Sequence, residues 1–169
     1  MSALVRIPVG VVVERRKAAS QWIDYVWRPV SVLPGVPDTA PWTVLSETAE
    51  CTTFYAGSTD VELFQSDTTQ YRENLASGSP SLWVALRAAS GDPPYTVFRV
   101  TADTAEGEAL TEAGNDLVEV VPMPDVIYDE VALFVTQHHV ERVFFKRKRT
   151  RVDPEALGRR PIVRTKDNG

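Results

Sequence analysis

The chain has 169 residues, 43% hydrophobic and 24% charged, with a formal net charge of −5. That length suits one folded domain with its own core. A single cysteine excludes an internal disulfide and any cysteine-pair metal site, and no apolar run approaches the ~20 residues of a membrane helix.

The first element is a strand over residues 5–14. Val5, Ile7, Val9, Val11 and Val13 alternate onto one face. Pro8 within the run predicts an edge strand or an irregular start. The polar stretch Arg15–Ser20 connects it to a second strand over 21–33, with Ile23, Tyr25, Trp27 and Leu33 as its apolar face. Pro34-Gly35 turns the chain, and Pro37 and Pro41 extend the loop. A short strand around Trp42–Ser46 precedes a predicted hairpin of 50–57 with 60–65, turned by Gly57-Ser58-Thr59-Asp60.

Asp67 or Thr68 caps a short helix through Tyr71, Asn74 and Leu75, stopped by Gly78 and Pro80. Ser81–Ala89 and Tyr95–Thr101 are strands around the Gly91–Pro94 turn. Asp103 and Glu106 have capping-box spacing and open a helix that ends at Gly114. A last strand over Asp116–Val121 follows. A helix from about Asp125 then carries Ile127, Val131, Phe134, Val135 and His138 on one stripe, packed on the sheet. Val140, Val143, Phe144 and Phe145 are the last expected core anchors. The order predicts an α+β fold: an antiparallel, partly barrel-like sheet, one helix before the last strand and one C-terminal helix packed on it. The domain is expected to span 1–149, with 150–169 as a basic, extended or mobile tail.

The charge is unevenly spread. From residue 141 on, ten basic residues face four acids, a net of +6 that leaves −11 on the first 140 residues. In the run Lys146-Arg147-Lys148-Arg149-Thr150-Arg151 five of six residues are basic. A solvated tail and a clamp on an acidic protein are its two leading readings. Nucleic acid is disfavoured, because the body is acidic and the pI is near 5.1.

No phosphate loop, dinucleotide fingerprint or serine elbow is present. His138 and His139 point about 100° apart on a helix, which makes a shared metal awkward. Their plain reading is structural, with His138 ending the apolar stripe and His139 at the helix C-terminus. Cys51 reads as a small strand residue. A cofactor-handling enzyme would instead gather Cys51, His138 or His139 in one pocket. Of the four tryptophans, Trp27 reads as core, whereas one or two of the others exceed what a monomer can bury. Exposed aromatics beside arginines suit a protein interface.

An ordered set of landmarks carries a resemblance. It comprises Ile7–Arg16 (IPVGVVVERR), Trp27-Arg28-Pro29-Val30, Leu33-Pro34-Gly35, Tyr55-Ala56-Gly57 and Val61-Glu62-Leu63. Tyr71-Arg72-Glu73-Asn74-Leu75, Val121-Pro122-Met123-Pro124, His138-His139-Val140-Glu141 and Phe145-Lys146-Arg147-Lys148-Arg149 complete it. The set, over about residues 5–149, resembles an uncharacterised bacterial family encoded beside molybdenum-dependent formate dehydrogenases and their maturation genes. The resemblance implies association with a molybdenum- or tungsten-dependent formate dehydrogenase, as either a small subunit or a maturation factor. The lack of a catalytic motif makes a non-catalytic partner the expectation, and the lack of a membrane run or signal segment a cytoplasmic one. No cofactor is expected on this chain; molybdopterin and iron–sulfur clusters belong to the partner, since a cluster needs about four ligands and one cysteine is present. The expected partner contacts are Arg15, Arg16, Trp22, Arg28, His139, Lys146, Arg147, Lys148 and Arg149. No catalytic or metal residue is expected. The alternatives are an enzyme or carrier in molybdenum cofactor handling, and a nucleic-acid or membrane regulator using the basic run.

Overall fold

Strand β1 (Val5–Lys17) organises the chain. Its alternation buries Ile7, Val9, Val11 and Val13 at 3% exposure or less, as a strand with one core face requires. The computed structural model describes residues 2–22 and 24–139. The expected tail and the anchors Val140, Val143, Phe144 and Phe145 lie outside the described residues, as does Ile23.

β1 is a central strand, not an edge. It pairs antiparallel with β2 (Tyr25–Pro34) on one side and with β4 (Cys51–Leu63) on the other. Pro8 is tolerated because the β1–β2 ladder begins one residue later, at Val9↔Pro34. The Pro8 carbonyl accepts from Gly35 N at 3.0 Å. Its missing N–H therefore points past the end of that ladder.

Two bulges alter the expected faces. Val12 and Val13 oppose Ser31 and Pro29, so Val30 is the extra residue of β2. Val11 and Val12 oppose Gly57 and Tyr55, so Ala56 is the extra residue of β4. An inserted residue flips the side-chain phase beyond it. Trp27 and Pro29 thus face inward below the bulge and Val32 above it, which leaves Leu33 at 36% exposure on the outside. The predicted hairpin at 57–60 is replaced by one continuous 13-residue strand. Gly57, at φ 141°, supplies the kink beside the bulge rather than a reversal. β3 (Thr43–Glu47) pairs with the first half of β4 and completes the sheet order β2-β1-β4-β3.

After a short 3-10 turn comes α1 (Thr68–Leu75). Tyr71 is 1% exposed, and its hydroxyl accepts from Phe64 N at 2.9 Å, fixing α1 to the end of β4. Burial pushes the Tyr71 phenol well above its ordinary range. Asn74, also buried, donates through Nδ2 to the Ser81 and Ala102 carbonyls at 2.8 and 3.0 Å and accepts from Ser81 N at 2.9 Å. β5 (Ser81–Ala88), β6 (Tyr95–Thr101) and β7 (Leu117–Pro122) form a second antiparallel sheet in the order β6-β5-β7.

Between β6 and β7 lies α2 (Thr104–Ala113). Asp103 caps it as the sequence predicts, accepting from Ala105 N and Glu106 N at 2.9 and 3.2 Å, and Gly114 ends it in the left-handed region. A third helix, α3, covers residues 125–139 and buries Ile127, Val131 and Phe134.

β4 lies along β6 and β2 along β7. The two sheets therefore wrap around one interior without joining into a closed barrel. Valines of β1, Leu82, Val84 and Leu86 of β5, and the α3 stripe meet in a single apolar cluster. This is the α+β, partly barrel-like arrangement that the sequence predicts.

Candidate interaction surface

β1 and β2 continue together past the core as a hairpin arm. Glu14, Arg15, Arg16 and Lys17 oppose Arg28, Trp27, Val26 and Tyr25, and the tip of the arm lies beyond the Lys17↔Tyr25 pair. Ala18 N donates to Asp24 O at 3.2 Å across the tip, and Trp22 N donates to Ser20 Oγ at 3.0 Å. The tip thus has internal bonds, yet Trp22 is 85% exposed. Tyr25 and Val26 are exposed beside it. A tryptophan this exposed is unusual on a monomer's own surface and common at the centre of protein interfaces.

Four of the sequence-predicted contact residues therefore share this arm: Arg15, Arg16, Trp22 and Arg28. They do different things there. Arg16 Nε donates to Glu14 at 3.0 Å, and Arg28 reaches the same carboxylate at 3.8 Å. The Arg16 hydrogen bond holds the Glu14 carboxyl below its ordinary value, with burial opposing it and the nearby Arg28 charge and the Cys51 thiol adding to it. Both arginines keep more than half of their side-chain surface exposed, so the trio contributes little to stability and leaves positive edges facing outward.

Arg15 is folded inward. Its guanidinium lies 4.3 Å from the Tyr25 ring centre, 5.4 Å from Phe54 and 5.7 Å from Trp27. Behind it Trp27 stacks on Phe54 at 5.8 Å and meets Trp42 and Tyr95 edge-on at 5.9 and 6.1 Å. Trp42 sits at φ 66°, a conformation that costs a bulky residue strain. Its ring packs edge-on against Phe54 at 5.6 Å. The arm is thereby rooted in an aromatic cluster at the open end of the fold.

The histidines lie elsewhere. His138 packs on Phe134 at 4.5 Å. His139 is buried, against its expected place among the surface contacts, with Nε2 3.0 Å from Arg72 Nη1 and Nδ1 3.2 Å from Thr68 Oγ1. Arginine can only donate, so Nε2 accepts and Nδ1–H donates to the threonine. His139 thus ties α3 to α1.

Cys51 opens β4 opposite Arg16, whereas α1 follows the other end of β4, roughly 40 Å along the strand. The pocket that Cys51 lines contains neither histidine. The Cys51–histidine grouping that a cofactor-handling enzyme would use is not assembled. Among the described residues no group of three His, Cys, Asp or Glu side chains is placed to hold a metal ion. No helix there is long and apolar enough to cross a membrane. Lys146, Arg147, Lys148 and Arg149 lie outside the described residues.

Sequence reasoning missed Tyr25 and Val26 as exposed neighbours of Trp22, and Trp42 as a support of the arm. Tyr25 does share the face of Trp27, but it sits one pair further along the arm, opposite Lys17 and past the end of the core, an overhang that strand alternation does not reveal.

The chain belongs to the DUF3305 family, described as proteins of unknown function, whose model matches residues 8–149. No curated protein and no solved structure matches the chain.

Proposed function

We propose, from the resemblance carried by the landmarks set out above, that this chain is a non-catalytic partner of a molybdenum- or tungsten-dependent formate dehydrogenase. It acts as a small associated subunit or maturation factor in the cytoplasm, and the β1–β2 arm is its docking element. The carrying observation is Trp22, 85% exposed at the tip of an arm whose base is pinned by the Arg15 aromatic cluster. A rigid base and an exposed aromatic tip reduce the ordering cost of binding and supply a desolvating anchor. Arg16 and Arg28 flank the anchor as charged contacts that favour an acidic rim on the partner. Molybdopterin and iron–sulfur clusters stay with the dehydrogenase in this reading, and the chain contributes a surface.

The test is affinity purification of the tagged full-length chain from cells expressing the dehydrogenase at native level and low salt. Retained proteins are identified by mass spectrometry, and bound molybdenum and pterin are assayed. The catalytic subunit or one of its maturation proteins should be retained. Recovery of the chain without any dehydrogenase component refutes the proposal.

A further inference from the structure

Among the described residues Arg15 is the half-buried arginine that the fold leaves without an acid. Aromatic rings hold the face of its guanidinium, but the N–H donors lie in the guanidinium plane and are not used by stacking. One of them makes a long bond, Nη2 to Thr52 Oγ1 at 3.4 Å. Nε is buried with no acceptor. Nε is closed to solvent, so any further partner of this guanidinium is met at its Nη groups.

The same side chain lines a cleft of about 330 Å³ between the end of β1 and the β3–β4 turn, together with Lys17, Glu47, Thr48, Glu50 and Thr52. That volume is at the lower end of small-ligand sites. Lys17 and Arg15 are balanced by Glu47 and Glu50, so the lining offers no net field to hold a multiply charged phosphate. Recognition there rests on directed hydrogen bonds instead, and a carboxylate matches the flat fork of a guanidinium whose orientation is already fixed. Thr52, which accepts from Arg15, retains its own hydroxyl proton to donate.

We infer that this cleft is a carboxylate-binding site, with the Arg15 Nη groups and the Thr52 hydroxyl as ligands and Tyr25, Trp27 and Phe54 holding Arg15 in place. The carboxylate comes from a small organic anion or from an acidic side chain of a bound polypeptide. The inference does not depend on which enzyme the arm docks to.

The test is NMR of the ¹⁵N-labelled full-length protein, following the Arg15 Nε–Hε signal. Acetate and a short blocked peptide with one glutamate are titrated separately, with sodium chloride at matched ionic strength as control. Both carboxylates should shift the signal saturably, in the millimolar range for acetate, and chloride should not. Affinity about tenfold higher for the peptide identifies a polypeptide as the source; equal affinities identify a small anion. Arg15→Lys keeps the charge but loses the fork, and should weaken binding by at least about tenfold, read from backbone amides lining the cleft. Thr52→Val should weaken it a few-fold, and this variant decides the matter if Arg15→Lys does not fold. No saturable carboxylate-specific shift, or full binding by these variants, overturns the inference.

Discussion

Replacing Asn74 by alanine should be among the most damaging polar-to-apolar changes in the body of the protein. Asn74 is 3% exposed and makes three hydrogen bonds of 2.8–3.0 Å. They join α1 to the start of β5 and to the link between β6 and α2, so no single strand ladder replaces them. At about 1 kcal/mol net for each bond, plus the cost of leaving the Ala102 carbonyl dry, the loss is about 3–4 kcal/mol. That is a large share of the ~5–15 kcal/mol that holds a domain together. Urea unfolding followed by circular dichroism should show the midpoint lowered by roughly 1.5–2 M, taking a slope of about 2 kcal/mol/M. Asn74→Asp is the sharper control. It keeps the acceptor for Ser81 N but turns a carboxylate oxygen toward two carbonyls, so it should fare no better than alanine at neutral pH. An alanine variant within 1 kcal/mol of wild type, or an aspartate variant as stable as wild type, would refute this account of how the body is clamped.

Gly107 and Asp103 carry the further stability predictions. A Cβ on Gly107 would lie 2.3 Å from the Trp83 ring, so Gly107→Ala should destabilise by about 1–3 kcal/mol despite its better helix propensity, and should alter tryptophan fluorescence in thermal melts. Burial, together with the neighbouring Asp67 charge, raises the Asp103 carboxyl above its ordinary value. The folded state therefore holds that proton more tightly than the unfolded chain. Its contribution is fully present below the unfolded pKa of about 3.9 and is lost as pH rises through the raised folded value. Asp67→Asn should flatten that loss in denaturation curves taken from acid to neutral pH. Asp103→Ala should cost about 1 kcal/mol at neutral pH through the lost cap, whereas Asp103→Asn keeps the cap and should cost little.

The parts of this molecule that were legible in the sequence are those written by local period. The β1 alternation, the Asp103 cap with its Gly114 stop, and the Ile127–Val131–Phe134 stripe needed no distant partner to be read. The bulges opposite Val11, Val12 and Val13 were not legible, because an extra residue in β2 or β4 is defined only by what it fails to pair with. One such residue moved Leu33 outward. Gly57-Ser58-Thr59-Asp60 has the composition of a turn, yet Gly57 serves the kink beside the β4 bulge in a continuous strand. His139 illustrates the same limit at the candidate sites. Helical period favours His138 as the inward residue, but α1 flanks the helix and supplies Arg72 and Thr68, which bury His139 instead. Trp22 was legible as surplus, since four tryptophans exceed what the core takes. The inward turn of Arg15 was not, because it depends on Tyr25 and Phe54 arriving from two other strands.

The most direct test of the docking account is the affinity of the purified chain for the proposed partner, a purified formate dehydrogenase catalytic subunit or maturation protein, measured by calorimetry for wild type and Trp22→Ala. Trp22 offers 85% of its surface, and burying roughly 200 Å² at ~25 cal/mol/Å² is worth up to ~5 kcal/mol, of which an interface anchor typically shows about 2–4. The variant should keep its unfolding midpoint, because the ring touches little of the core, and lose about 30- to 1,000-fold in affinity. Equal affinity of the two proteins, with the fold intact in both, would contradict the claim that the arm is the docking element.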